Sequence, residues 1–209
     1  MLDIAGLRQT SSGFRSALAE MALSLGMDPS YIAGVMAIET GRTFSPSIQN
    51  PFTSAVGLIQ FMPATARALG TSVEELKRMS AIGQLEYVKR FFRPHIGRLR
   101  TPGDYYLAVF YPAYIGRAPS TVIFSSGETG YAQNAGLDKD GDGLITVGDV
   151  TTTINRVIAE AASRPPLEVS VGASFLGWTF GTLVVGLVGT VVYERRKDIA
   201  HFLQKRLPV

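Results

Sequence analysis

One carboxylic acid stands where a charge is expensive. Glu39 closes the apolar stretch Tyr31-Ile32-Ala33-Gly34-Val35-Met36-Ala37-Ile38. A carboxyl held against apolar walls gives up its proton less readily, which suits a general acid working near neutral pH. A glutamate on the surface at a helix end is the plainer reading of the same residue. Past an intervening loop the chain reads Gly57-Leu58-Ile59-Gln60-Phe61-Met62-Pro63. Its glycine permits close backbone approach, and the Gln60 amide can both donate and accept.

The elements that must position these groups are helical. Asp28-Pro29 reads as an N-cap with a first-turn proline, so a helix is expected from Pro29 to Glu39 or Thr40. Ile32, Val35, Met36 and Ile38 would form its buried side, and Gly41 ends it. The segment 41–54, with two prolines and many small polar residues, reads as a loop, a common place for substrate contacts. Met62-Pro63 opens a helix over Pro63–Leu69 that stops at Gly70, and another runs from about Ser80 to Phe92. A further helix ends in Tyr105-Tyr106-Leu107-Ala108-Val109-Phe110-Tyr111-Pro112-Ala113. Within it Tyr105, Tyr106 and Phe110 read as core, whereas Tyr111, just before the proline, is the candidate for a cleft.

This order of motifs resembles the catalytic core of lytic transglycosylases and goose-type lysozymes, over about Ala17 to Asp149. Glu39-Thr40 stands for their Glu-Ser helix end, with Thr in place of Ser. Gly57–Pro63 matches their Gly-Leu-(Met/Ile)-Gln-x-x-Pro loop, and Gln84-Leu85-Glu86-Tyr87-Val88 matches a stretch found in phage members. Tyr111-Pro112-Ala113 replaces the Tyr-Asn-Ala-Gly of the cellular enzymes, which brings the resemblance nearer to phage-encoded transglycosylases. The resemblance implies a lysozyme-like helical fold and a peptidoglycan substrate cut at the MurNAc-GlcNAc β-1,4 bond. It makes Glu39 catalytic and places Gln60, Tyr111, Thr40, Gly57, Phe61 and Met62 against the glycan strand.

Glycoside cleavage usually takes two carboxyl groups. Between Glu39 and Glu74 the chain has no other Asp or Glu; Glu74, Glu75 and Glu86 read as solvated helix faces, Asp104 as a cap, and Glu128 as a loop residue. The resemblance supplies a mechanism that fits one carboxyl: the acid protonates the glycosidic oxygen, then takes the proton of the sugar's C6 hydroxyl, giving a 1,6-anhydro product. The alternatives are a lysozyme-type muramidase acting in host lysis and a catalytically inactive wall-binding virion protein.

A second site is marked by spacing alone. Asp138, Asp140, Asp142, Leu144, Thr146 and Asp149 occupy positions 1, 3, 5, 7, 9 and 12 of an EF-hand loop, with Gly143 at the bend and Ile145 packing behind. Several protein oxygens in one loop suit Ca2+ better than Mg2+. Asp149 stands where Glu is usual, and residues 127–136 make a poor entering helix. Val147–Ala162, with Val150, Ile154, Val157 and Ile158 on one side, makes a good exiting one. With no paired hand visible, the expected role of the ion is structural. An acidic turn without metal is the alternative.

From Val169 to Tyr193 there is no charged residue, a length that as a helix crosses about 30 Å of hydrocarbon. Arg195, Arg196, Lys197, Lys205 and Arg206 follow it, so the positive-inside tendency places the catalytic part on the wall side of a membrane. Met1–Arg8 lacks the apolar core of a secretory signal. The expectation is therefore a virion-associated, membrane-bound phage enzyme that opens the wall for genome delivery, in company with other virion proteins.

Composition narrows the rest. The 209 residues contain no cysteine, which excludes disulfides, Cys-zinc sites and a thiol nucleophile. His95 and His201 lie in no triad or metal-ligand spacing, and the net charge of +3 comes with no nucleic-acid motif, so no nucleic-acid partner is expected. The expected class is mainly α. It divides into a lysozyme-like domain at 1–130, a calcium loop with its exiting helix at 131–163, a linker at 164–168, a single transmembrane helix at 169–193, and a basic tail at 194–209.

Overall fold

The computed structural model describes residues 1–51 and 53–172. The expected membrane span lies outside the described residues from position 173 onward, as does the basic tail. Among the described residues no helix is long and apolar enough to cross a membrane.

The described chain is mainly α-helical, and its helices begin where local chemistry tells them to. Helix α1 (Ser12–Ser24) starts on Ser11, whose hydroxyl accepts from the Phe14 N–H. Helix α2 (Pro29–Glu39) starts on Asp28, with Pro29 in its first turn, and ends at Glu39 as the sequence predicts. Helix α3 (Pro63–Ala68) follows Met62. A Ser72–Glu75 capping box opens α4 (Val73–Arg78), and Ser80 caps α5 (Ala81–Phe92). A Thr101–Asp104 capping box opens α6 (Pro102–Phe110), so Asp104 is the reciprocal partner in a cap whose N-terminal residue is Thr101.

Past α6 the chain forms strand β1 (Val122–Ser125), a short α7 (Thr129–Asn134), strand β2 (Leu144–Thr146) and helix α8 (Val147–Ala162). The strands pair antiparallel, Phe124 opposite Ile145 and Ser125 opposite Leu144, with an irregularity between Val122 and Phe124. No strand was expected at 122–125, because four residues carry too little alternation to register.

Helix α2 is apolar on nearly every side and occupies the centre, touched by α1, α6 and α8. Ile32, Ala33, Val35 and Met36 are fully buried, while Ile38, expected among them, is only half-buried. Gly34 allows the closest approach. A Cβ there would lie 2.8 Å from Ile154 Cδ1 and 3.1 Å from Ile158 Cδ1, so the side chains of α8 press directly on the α2 backbone. The boundary drawn at 130/131 therefore separates no cores: Ile145, Val147, Val150, Ile154, Val157 and Ile158 belong to the same apolar cluster as α2. The segment 164–168 is docked rather than free. Leu167 is buried and exchanges backbone hydrogen bonds with Met1 (2.9 and 3.3 Å), and the Arg164 guanidinium donates to the Asp3 carbonyl at 3.1 Å.

Candidate active site and acidic loop

Glu39 is the last residue of α2. The helix stops in a Schellman motif: the Arg42 N–H donates to the Ala37 carbonyl (2.7 Å) and the Gly41 N–H to the Ile38 carbonyl (3.3 Å), with Gly41 left-handed at φ 57°. The side chain is half-buried, and burial pushes its pKa from 4.5 up to about 7. No carboxylate among the described residues contributes to that shift. The negative end of the α2 dipole acts in the same direction. At neutral pH the group is thus divided between acid and base.

Tyr106 lies close to it. Burial, and then the Glu39 charge, hold its phenol proton far more tightly than usual. Its hydroxyl makes no hydrogen bond among the described residues, which leave no enclosed side-chain polar atom without a partner. The hydroxyl therefore reaches solvent. Tyr106 was read from sequence as core, and its ring is indeed buried. Position along an apolar helix cannot distinguish a ring that is wholly enclosed from one whose tip opens on a cleft.

The loop after Glu39 carries local strain. Arg42, Phe44, Ser54 and Gln60 are the non-glycine residues with positive φ among those described, at 49–69°. Such conformations cost about 1–2 kcal/mol each, and they cluster where function requires the backbone to be held. Thr40 helps hold it. It is 0 % exposed, donates to the Met36 carbonyl (2.7 Å) and accepts from the Phe44 N–H (3.0 Å). With no exposed surface and its hydroxyl both donating and accepting, Thr40, expected against the glycan, fastens the loop to the helix end.

Gln84, assigned no role from sequence, is the other fastener. It is 0 % exposed on the inner face of α5; its Oε1 accepts from the Leu58 N–H (3.0 Å) and its Nε2 donates to the carbonyls of Pro46 (2.6 Å) and Leu76 (2.7 Å). One amide thus ties three segments together around Gly57. A Cβ on Gly57 would lie 2.4 Å from Gln84 Oε1, and its φ of 84° independently demands glycine. A polar residue in the apolar stripe of an amphipathic helix was the available signal.

The remaining expected contacts divide. Phe61, expected against the glycan, is buried and edge-packed on Phe91. Gly57 is likewise buried, beneath Gln84. Gln60 spends its Nε2 on the carbonyls of Gly57 (3.1 Å) and Ile48 (3.4 Å), leaving Oε1 as the atom it can offer. Met62 is 45 % exposed and Tyr111 40 % exposed, and both are free to meet a ligand. A hollow of about 600 Å³ opens between the start of α1 and the loop, lined by Thr10, Ser11, Phe14, Thr43, Phe44 and Pro46 among others; Glu39 does not line it.

In the acidic loop, carboxylate oxygens of Asp138, Asp140 and Asp142 come within 4.8 Å of one another, a cluster that could hold a metal ion. Short turns aim them inward: Asp138 accepts from the Gly141 and Gly143 N–H groups (2.8 and 3.0 Å), and Asp142 from the Leu144 N–H (2.8 Å). The Tyr131 hydroxyl donates to Asp138 at 2.7 Å and, with those backbone donors, lowers its pKa. Thr146 and Asp149 form the capping box of α8, which occupies Asp149 Oδ2 and leaves Oδ1. Gly143 sits at φ 82°, as the sharp bend requires, and Ile145 is fully buried behind it. The donor set therefore fits a hard divalent cation. The second loop of a paired hand is replaced by β1, which pairs with β2.

No protein-family model matches this chain. No curated protein matches it.

Proposed function

We propose that the protein is a peptidoglycan lytic transglycosylase in which Glu39 is both acid and base. The observation that carries this reading is a single half-buried carboxyl with its pKa near 7 and no partner carboxylate adding to the shift. Such a group can give a proton to the glycosidic oxygen as the C1–O bond breaks, while the substrate's N-acetyl oxygen bonds to C1. The resulting carboxylate then removes the C6 hydroxyl proton as that oxygen replaces the N-acetyl oxygen at C1. The product is a 1,6-anhydro sugar, no water is consumed, and Glu39 ends protonated as it began. Gln60 Oε1 accepts from the strand, and Tyr111 and Met62 give it apolar surface.

In this reading the acidic loop holds Ca2+ through Asp138, Asp140 and Asp142, with Asp149 Oδ1 and the Leu144 carbonyl completing the set and Thr146 capping the helix behind. The ion supplies structural cross-linking, not chemistry. The protein acts beside a membrane, anchored through 169–193, as a virion component that opens the wall. Muropeptide mass spectrometry after digestion of purified peptidoglycan tests the reaction. Anhydro ends that disappear in Glu39→Gln support it; reducing ends identify a hydrolase, and no release identifies a binding protein.

A further inference from the structure

A series of aromatic contacts runs from beside Glu39 to strand β1. Tyr106, beside Glu39, stacks on Phe110 (6.0 Å, 30°); Phe110 meets Phe124 edge-on (6.4 Å, 76°); Phe124 stacks on the half-exposed Tyr111 (5.9 Å, 21°). Tyr106 and Phe110 stand on α6, and Tyr111 is its C-cap. The ring that bridges them, Phe124, comes from β1.

What seats Phe124 is the acidic loop. Its strand neighbours are fixed by that loop: Phe124 lies opposite Ile145 and Ser125 opposite Leu144, and the Ser126 N–H donates to the Gly143 carbonyl at 2.7 Å. On its other side the ring rests on the backbone of α7, where a Cβ at Gly130 would lie 2.3 Å from Phe124 Cε1. The next residue, Tyr131, is the one that donates to Asp138. Phe124 is therefore gripped by two segments, and both are anchored on the loop that gathers the carboxylates.

Three like charges within 4.8 Å repel and favour an opened loop; a bound cation removes the repulsion and draws the loop closed. Opening would loosen both grips on Phe124, and with it the seat of Tyr111 and Phe110. The half-exposed face of Tyr111 suits the apolar face of a sugar ring.

We infer that Phe124 is a positioning residue through which a divalent cation in the Asp138–Asp149 loop sets the aromatic surface beside Glu39, so that cation binding and binding of a β-1,4-linked N-acetylhexosamine strand reinforce one another. This rests on the readings of the cleft as sugar-binding and of the loop as cation-binding. Linkage makes the effect reciprocal: the factor by which calcium tightens sugar binding equals the factor by which sugar tightens calcium binding.

The experiment is isothermal titration of the full chain in detergent, as Glu39→Gln to prevent turnover, with the N-acetylglucosamine hexamer and with calcium chloride, each in the presence and absence of the other. Calcium is expected to lower the hexamer Kd about fivefold or more, the hexamer to lower the calcium Kd by the same factor. Adding Phe124→Leu should abolish the coupling while calcium still binds and still raises the melting temperature. Phe124→Tyr, which restores a ring, should restore the coupling. Equal hexamer affinity with and without calcium, in a chain that binds both, overturns the inference, as does coupling that survives Phe124→Leu. No calcium binding overturns it by removing the cation reading; calcium binding without hexamer binding overturns it by removing the sugar reading.

Discussion

Replacing Glu39 with glutamine should strengthen the fold while ending catalysis, and the gain should depend on pH. The unfolded chain releases the Glu39 proton near 4.5, and the folded chain holds it up to about 7. Folding therefore takes up a proton between those values, and stability falls as pH rises through that window. The difference of 2.5 units corresponds to roughly 3 kcal/mol at 1.36 kcal/mol per unit, or about 2 kcal/mol once the solvent-facing side of the carboxyl is discounted. Glutamine is neutral at every pH and close in shape, so it escapes this cost. Chemical denaturation of both proteins at pH 4 and pH 8 should show nearly equal stability at the lower value. At the higher one Glu39→Gln should be more stable by about 2 kcal/mol, or about 4–8 °C in melting temperature. A variant that is no more stable than the parent at pH 8, or that differs equally at both values, would refute the claim that Glu39 is desolvated.

The same shift predicts that the rate of glycan cleavage by the parent falls as pH rises above about 7, because the acid form is lost; a profile flat from pH 6 to 9 would count against Glu39 as proton donor. Gln84→Ala leaves the Leu58 N–H and the Pro46 and Leu76 carbonyls without their partner, and should cost about 3 kcal/mol in urea unfolding together with most activity. Gly57→Ala forces a Cβ onto the Gln84 amide at positive φ and should destabilise by about 2 kcal/mol or more, whereas Gly70→Ala, at similar φ with open space around it, should cost less. A calcium chelator should lower the melting temperature, and Asp138→Ala should remove that response.

Much of the frame was legible because it is written locally. The Asp28-Pro29 start of α2, its end at Glu39, the Ser80 start of α5 and the full extent of α8 each depend on a cap residue and a 3.6-residue period close together in the chain. The same holds for the acidic loop, whose inward turns follow from alternate Asp residues and Gly143. What escaped depends on how loops fold back and on distant partners. Thr40 looks like a cleft residue in a motif, but which way its hydroxyl turns is decided by the Phe44 N–H four residues on, which a left-handed Arg42 and Phe44 bring back to the helix end. Gln84 is one amide on a helix face until Pro46, Leu58 and Leu76 converge on it. Strand β1 exists because β2 offers an edge, which four residues of sequence do not announce.

The seat of α8 on Gly34 sets a limit on how this protein can be cut. A fragment ending at residue 130 would retain Glu39, Gln60 and Tyr111, the residues first singled out for chemistry. It would also leave the α2 backbone bare at Gly34, where Ile154 and Ile158 now press. Those partners are separated by roughly 120 residues of chain, so the contact forms long after α2 has been made. On a ribosome the helix bearing the acid is thus made early and covered late. A fragment that keeps α2 covered must run through α8, and a shorter one should emerge as an aggregating species.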